Sequence, residues 1–277
     1  RHTARGRLWV GSPTWANHHP ILAAAGCNIV DHAFYDRSAM GIDFVGMMEA
    51  LEAAETGDAL LLHGCSHNPT GADFTEAEWA AIGELVARRR LVPVVDLAYQ
   101  GLGRGLDADA FGTRLLFDRA EVLVVAYSCD KNFGLYRERT GALWARAAEP
   151  ASAPRLHVAM REPARASWSM PPDHGAAAVR TILEDEELTR IWREELDTMR
   201  SRIVALRNGL AAAHPGLAAI AAQTGIFSML PIDREAVMAL RRDEAIYIAD
   251  DGRMNVAGLK LDDITRLATA LAPHLRR

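Results

Sequence analysis

Short apolar runs separated by helix-length amphipathic stretches are what most constrains the fold of this chain. Residues 8–10, 28–34, 59–62, 91–97, 122–126 and 141–145 are strand candidates. Between the third and fourth, residues 75–90 carry a helical pattern. Thr75 is placed to cap that helix, and Glu78, three residues on, completes a capping box. Strands alternating with helices of this length read as βαβ units. The expectation is therefore an α/β domain around a mostly parallel, buried sheet. Pro93 within the fourth run suits a strand start or edge better than a strand centre.

The pattern changes after Gly175. From Glu184 onward, Leu188, Trp192, Leu196, Met199, Ile203, Leu206 and Leu210 recur at steps of three and four, which is one face of a long helix. His214-Pro215-Gly216 is a strong stop for it. Beyond lie strand candidates at 225–230, 245–249 and 253–256 and two helical patterns, an α+β composition. The 277 residues suit two unequal domains, drawn here as 1–197 and 198–277, with the boundary inside the long helix. A net charge of −5 argues against a nucleic-acid binder. The three cysteines, odd in number and widely spaced, suggest a reducing compartment. No apolar run approaches a membrane span and no signal-peptide pattern opens the chain, so a cytoplasmic location is expected.

Chemistry-bearing residues cluster just after the strand candidates. Lys131 follows the fifth run, with Ser128 three residues before it and Arg139 eight after. In an α/β sheet, ligands sit at the carboxyl ends of strands. A lysine flanked by a hydroxyl and a guanidinium suits a phosphorylated carbonyl cofactor, although lysines are mostly solvated surface residues. Asp96 ends the fourth run, where an acid is costly unless paired. A protonated ring nitrogen would pair it, and so would the cap of a following helix. Tyr99 lies three residues further on. His67-Asn68-Pro69-Thr70-Gly71 follows the third run and also reads as a plain turn. Trp15 and His18 follow the first; each fits ring stacking or catalysis, and each fits an ordinary core role. Arg253 stands in a C-terminal Gly-Arg-Met-Asn turn.

Taken together, SPTWANH, LLHGCSHNPTG, DLAYQGLGRGL, KNFGLYRERTG, PPDHGA and GRMNVAG resemble the class I, fold-type I pyridoxal-phosphate aminotransferases, aspartate and aromatic amino acid subgroup. The motifs run in matching order from about Trp9 to Leu271. The resemblance implies a three-layer α/β/α large domain and a smaller C-terminal α+β domain. It also implies pyridoxal 5′-phosphate as cofactor and a homodimer with sites at the subunit interface. By the same resemblance, Lys131 forms the Schiff base, Asp96 partners the pyridinium nitrogen, and His18 stands behind Asp96. Tyr99 and Asn68 bond the cofactor's phenolate oxygen, Trp15 stacks on the ring, and Ser128 and Arg139 bind the phosphate. Arg253 grips the substrate α-carboxylate. Arg165 binds the distal carboxylate of a dicarboxylic substrate in the other subunit's site. The implied reaction is ping-pong transamination of aspartate, tyrosine or phenylalanine with 2-oxoglutarate, through pyridoxamine phosphate.

Two departures stand out. Asp130 occupies the position where this family usually has a serine beside the lysine. An acid there repels a phosphate unless it points away or pairs with an arginine. Relatives also carry a further N-terminal segment with a phosphate loop, so the sequence reads as lacking about that first third. The alternative reading is a catalytically impaired, truncated paralogue that keeps the fold for cofactor binding or dimerisation.

Overall fold

The computed structural model describes residues 6–275. Ten strands are described. Six form one sheet: β1 (Arg7–Ser12), β2 (Asn28–Ala33), β5 (Ala59–His63), β6 (Val92–Leu97), β7 (Leu123–Ser128) and β8 (Gly141–Arg146), in the order β2-β1-β5-β6-β7-β8. All pairs are parallel except β7 with β8. A two-residue hairpin, β3 (Tyr35–Asp36) with β4 (Gly41–Ile42), follows β2. β9 (Phe227–Met229) and β10 (Arg253–Asn255) form a separate antiparallel pair.

Side chains alternate across a strand, and that alternation sorts the sheet residues into two apolar layers. Trp9, Leu60, Leu62, Val95, Leu97, Leu123 and Val125 pack on one side with Trp79, Ile82, Leu85, Val86 and Leu116. Leu8, Val10, Ala59, Leu61 and Val92 pack on the other with Leu22 and Ile29. Helices on both faces give the three-layer α/β/α arrangement expected. The helix Glu76–Arg89 carries the anticipated capping box: Thr75 Oγ1 accepts from the Glu78 N–H, and Glu78 accepts from the Thr75 N–H at 2.7 Å. Pro93 is tolerated within β6 because pairing with β7 begins only at Val94.

The long helix runs Glu186–Ala213, starting two residues later than its pattern suggested because the Asp185 side chain caps it through the Leu188 N–H. Leu196 and Ile203 pack with Leu102, whereas Leu206 and Leu210 belong to a second core built with Leu217, Ile220, Val237, Leu240, Val256 and Leu271. The face changes cores between Ile203 and Leu206, a little beyond Asp197. Met40 of the β3–β4 turn also joins the second core. Leu188 and Met199 stay exposed on the periodic face.

One strand expectation fails. Residues 245–249 form no strand; Ala245 takes a left-handed conformation (φ 51°) as the C-cap of the helix Arg234–Glu244. The chain turns there, and Ile246 and Ile248 enter the second core from irregular backbone.

Candidate active site

β1, β5, β6 and β7 lie side by side and parallel, so their carboxyl ends open on one edge of the sheet. Asp96 sits directly across from His63 in the β5–β6 register and beside Ala126 of β7. Its Oδ2 accepts from His18 Nε2 at 3.2 Å. His18 Nδ1 lies 2.7 Å from Thr14 Oγ1, which lies 3.1 Å from His63 Nε2. With Asp96 ionised and His18 carrying one ring proton, a single donor order satisfies the chain. His63 donates to Thr14, Thr14 to His18, and His18 to Asp96. Burial pushes the Asp96 carboxyl up, but the His18 hydrogen bond, the nearby imidazoles and the Lys131 charge outweigh it and hold the group below its ordinary value. The arrangement therefore keeps a carboxylate ionised at the floor of the site.

Asn68 bridges two of the expected residues. Its Nδ2 donates to the Tyr99 hydroxyl at 3.2 Å, and its Oδ1 accepts from Arg253 Nη1 at 3.3 Å. Burial, only partly offset by the Asn68 hydrogen bond, pushes the Tyr99 phenol up to about 12, so it stays protonated at neutral pH. The Arg253 guanidinium lies 4.9 Å over the ring of Phe227, and among the described residues its other N–H groups make no hydrogen bond. Lys131 Nζ stands 5.1 Å over the Tyr99 ring and 6.0 Å from the Tyr136 ring. Among the described residues it makes no hydrogen bond or ion pair. Trp15 meets His18 edge-on, with centroids 5.3 Å apart.

Arg139 bonds Asp130 Oδ2 and the Tyr136 carbonyl, at 2.9 and 2.7 Å, both through Nη1. The Asp130 N–H donates to Ser128 Oγ at 3.1 Å. The acid at position 130 thus pairs with the arginine. Below the lysine, Asn132 donates to the Tyr127 hydroxyl and to the Gln100 carbonyl, while Phe133 stacks on Trp192 at 4.4 Å. These contacts fix the backbone on which Lys131 stands.

The fold therefore brings together Trp15, His18, Asn68, Asp96, Tyr99, Ser128, Lys131, Arg139 and Arg253. Arg165 is apart from them, exposed on the helix Ala153–Trp168. Sequence reasoning missed Thr14, Phe227, Tyr136 and Arg207. Thr14 stood inside the quoted SPTWANH motif, but nothing in its type marked a relay between two histidines. Arg207 is almost fully buried and donates to the carbonyls of Thr224, Gly225 and Phe227 at 2.7, 2.7 and 2.6 Å. Its helical period gave no hint of this.

Gly71 shows how tightly the Asn68 loop meets β9. Its φ is +71°, and a Cβ there would lie 2.3 Å from the Phe227 carbonyl oxygen and 3.0 Å from Arg207 Nη2. Only glycine fits both the conformation and the space.

His67, stacked on Phe34 and bonded to Thr70 Oγ1, gives the site a pH signature. Burial, then the nearby His18, lowers its pKa from 6.5 to about 3. Between those values the unfolded chain binds a proton that the folded chain refuses. The His67 contribution to stability is therefore full above about pH 6.5 and is lost as the pH falls toward 3. Melting scans of the wild type and His67→Gln should show the wild type losing more stability than the variant between pH 7 and about pH 5. Parallel losses would contradict the assignment.

Against known proteins, residues 2–271 match the family model "Aminotransferase class I and II". The chain is 50% identical to the tyrosine aminotransferase of Rhizobium meliloti (strain 1021), over 94% of this chain and 68% of that protein. It is 39% identical to the aspartate aminotransferase of Escherichia coli (strain K12), over 99% of this chain and 71% of that protein. Among solved structures it is similar to the aromatic-amino-acid aminotransferase of Burkholderia pseudomallei covalently bound to pyridoxal phosphate, with a TM-score of 0.94 and 37% identity, covering 98% of this chain and 69% of that one. The parallel sheet, the cluster at its carboxyl edge and these matches converge: the chain belongs to the class I and II aminotransferases.

Proposed function

We propose that this chain performs pyridoxal-phosphate-dependent transamination between an amino acid and a 2-oxo acid, with Lys131, Asp96 and Tyr99 as catalytic residues. The observation that carries the reading is the convergence, at one sheet edge, of an unpaired amine, an ionised carboxylate and a buried phenol. The residues present fit the cofactor. Lys131 Nζ has no competing partner among the described residues, and Asp96 is held ionised for a ring nitrogen. The buried hydroxyl of Tyr99 and amide of Asn68 face one another. Trp15 offers a flat wall.

Bound pyridoxal phosphate supplies the electron sink that makes an α-carbon acidic. The protein supplies orientation and charge. Asp96, steadied by His18, would hold a proton on the ring nitrogen. Asn68 and Tyr99 would bond the phenolate oxygen, and Ser128 and Arg139 the phosphate. Lys131 would hold the cofactor's carbonyl carbon and then carry the proton away from the substrate α-carbon as general base. Arg253 would bind the α-carboxylate through its planar fork. Arg165 would reach the distal carboxylate in the partner's site of a homodimer.

Aspartate, tyrosine or phenylalanine is the proposed donor and 2-oxoglutarate the acceptor. The names of relatives at 39–50% identity, which include tyrosine, aromatic-amino-acid and aspartate aminotransferases, support that range. Residues 1–197 would form the cofactor domain and 198–277 the small domain, a division supported by the two cores that the long helix joins. No helix among the described residues is long and apolar enough to cross a membrane. The three cysteines are free, which supports a cytoplasmic setting.

The test is direct. The purified chain with pyridoxal phosphate should develop the near-visible absorbance of a lysine-bound cofactor, and aspartate, glutamate or tyrosine should bleach it. A band indifferent to every amino acid would overturn the reading. Arg253→Lys keeps the charge but loses the fork, so its KM for amino acids should rise roughly ten- to a hundredfold with a smaller change in kcat. Steady-state kinetics checks this.

A further inference from the structure

We propose that Asp130 is a built-in rival of the cofactor's phosphate: its carboxylate takes Arg139, one of the two groups of the Ser128–Arg139 anion cradle, and weakens phosphate-dependent cofactor binding. The proposal rests on reading that cradle as the phosphate site. Three observations carry it. Asp130 Oδ2 takes Arg139 Nη1 at 2.9 Å, the nitrogen that also bonds the Tyr136 carbonyl. The Asp130 backbone N–H donates to Ser128 Oγ, which fixes this residue, and with it the carboxylate, beside the other group expected to bind phosphate. Asp130 Oδ1 is buried with no partner among the described residues. A buried carboxylate oxygen without a donor is costly, and here that oxygen stays uncompensated beside the cradle.

The asymmetry of the pair points the same way. The Asp130 side chain is 11% exposed and that of Arg139 72%. The acid is fixed in the wall, while the arginine reaches outward and its Nε and Nη2 bond no described group. An incoming phosphate therefore meets a guanidinium already half neutralised and an immobile like charge. Like charges brought together in a binding site cost affinity strongly. Asp130 holds Arg139 in place, and the phosphate must share or displace that carboxylate. Asp130 would thus make the cofactor easier to release than a neutral side chain would.

The experiment titrates the full chain, Asp130→Asn and Asp130→Ser with pyridoxal phosphate, with pyridoxal and with inorganic phosphate, following tryptophan fluorescence. Asp130→Asn keeps the shape and Asp130→Ser removes it, so a folding failure in one leaves the other informative. Both variants should bind pyridoxal phosphate at least about tenfold more tightly. Inorganic phosphate should tighten as well, while pyridoxal, which lacks the phosphate, should change less than about twofold. Unchanged or weaker pyridoxal-phosphate affinity, or an equal gain for pyridoxal, overturns the proposal. If that happens while the lysine-bound absorbance forms normally, the transamination reading stands without it. If the absorbance forms in none of the three proteins, both fall.

Discussion

Lys131→Ala is expected to reduce transamination at least about a thousandfold while leaving measurable cofactor binding. Two roles are lost together. On the proposed reading, the amine that would hold the cofactor's carbonyl carbon disappears, and with it the base that would move the α-proton. General acid–base catalysis alone contributes roughly 10²–10⁴-fold. Binding should survive because the groups around Asp96, Asn68 and the Ser128–Arg139 cradle remain. Alanine also removes a cation from the face of Tyr99, a small loss against the chemistry. Absorbance titration and turnover on the same sample separate binding from catalysis. Near-normal turnover in this variant would sink the assignment of Lys131.

Asp96→Asn should be the second largest effect, with kcat lowered at least roughly a hundredfold. The change is nearly isosteric, so its cost is charge and not shape. An amide can still accept from His18 Nε2, but it cannot hold a proton on a ring nitrogen by opposite charge. In the native site the His18 hydrogen bond, the neighbouring imidazoles and the Lys131 charge keep Asp96 below its ordinary pKa despite burial. The carboxylate is therefore ionised throughout the neutral range, and the wild-type rate should not report its titration there. If Asp96→Asn retained most of its kcat, the carboxylate would be no more than a cap or a buried ion-pair partner.

Much of this was legible in the residues. Strand candidates 59–62 and 122–126 became β5 and β7 because continuous apolar runs are what a sheet covered on both faces requires. Lys131, Asp96, Tyr99 and Asn68 stood just past such runs, and a parallel sheet delivers those positions to one edge. Residues 245–249 failed because an alternating apolar pattern also fits irregular chain whose Ile246 and Ile248 anchor into a core. Arg207 was illegible for a different reason. A buried arginine bonded to carbonyls depends on backbone brought together across 17 to 20 residues of sequence, which no local pattern encodes. Whether Asp130 points away or meets an arginine is open in the residues, and the geometry shows that it meets Arg139.

The Asn68 amide links two ends of the proposed chemistry through one rigid plane. Its nitrogen holds the phenol of Tyr99 and its oxygen holds the guanidinium of Arg253. The surrounding backbone has little give, with Gly71 seated against Phe227 and Arg207 pinning the strand that carries it. On the proposed reading, a carboxylate at Arg253 would compete with the Asn68 amide oxygen for Nη1, and any shift of that amide would be felt at the Tyr99 hydroxyl it bonds. The carboxylate-binding end and the phenol end would thus be coupled through a single side chain, and a molecule lacking the acid would leave that coupling unused.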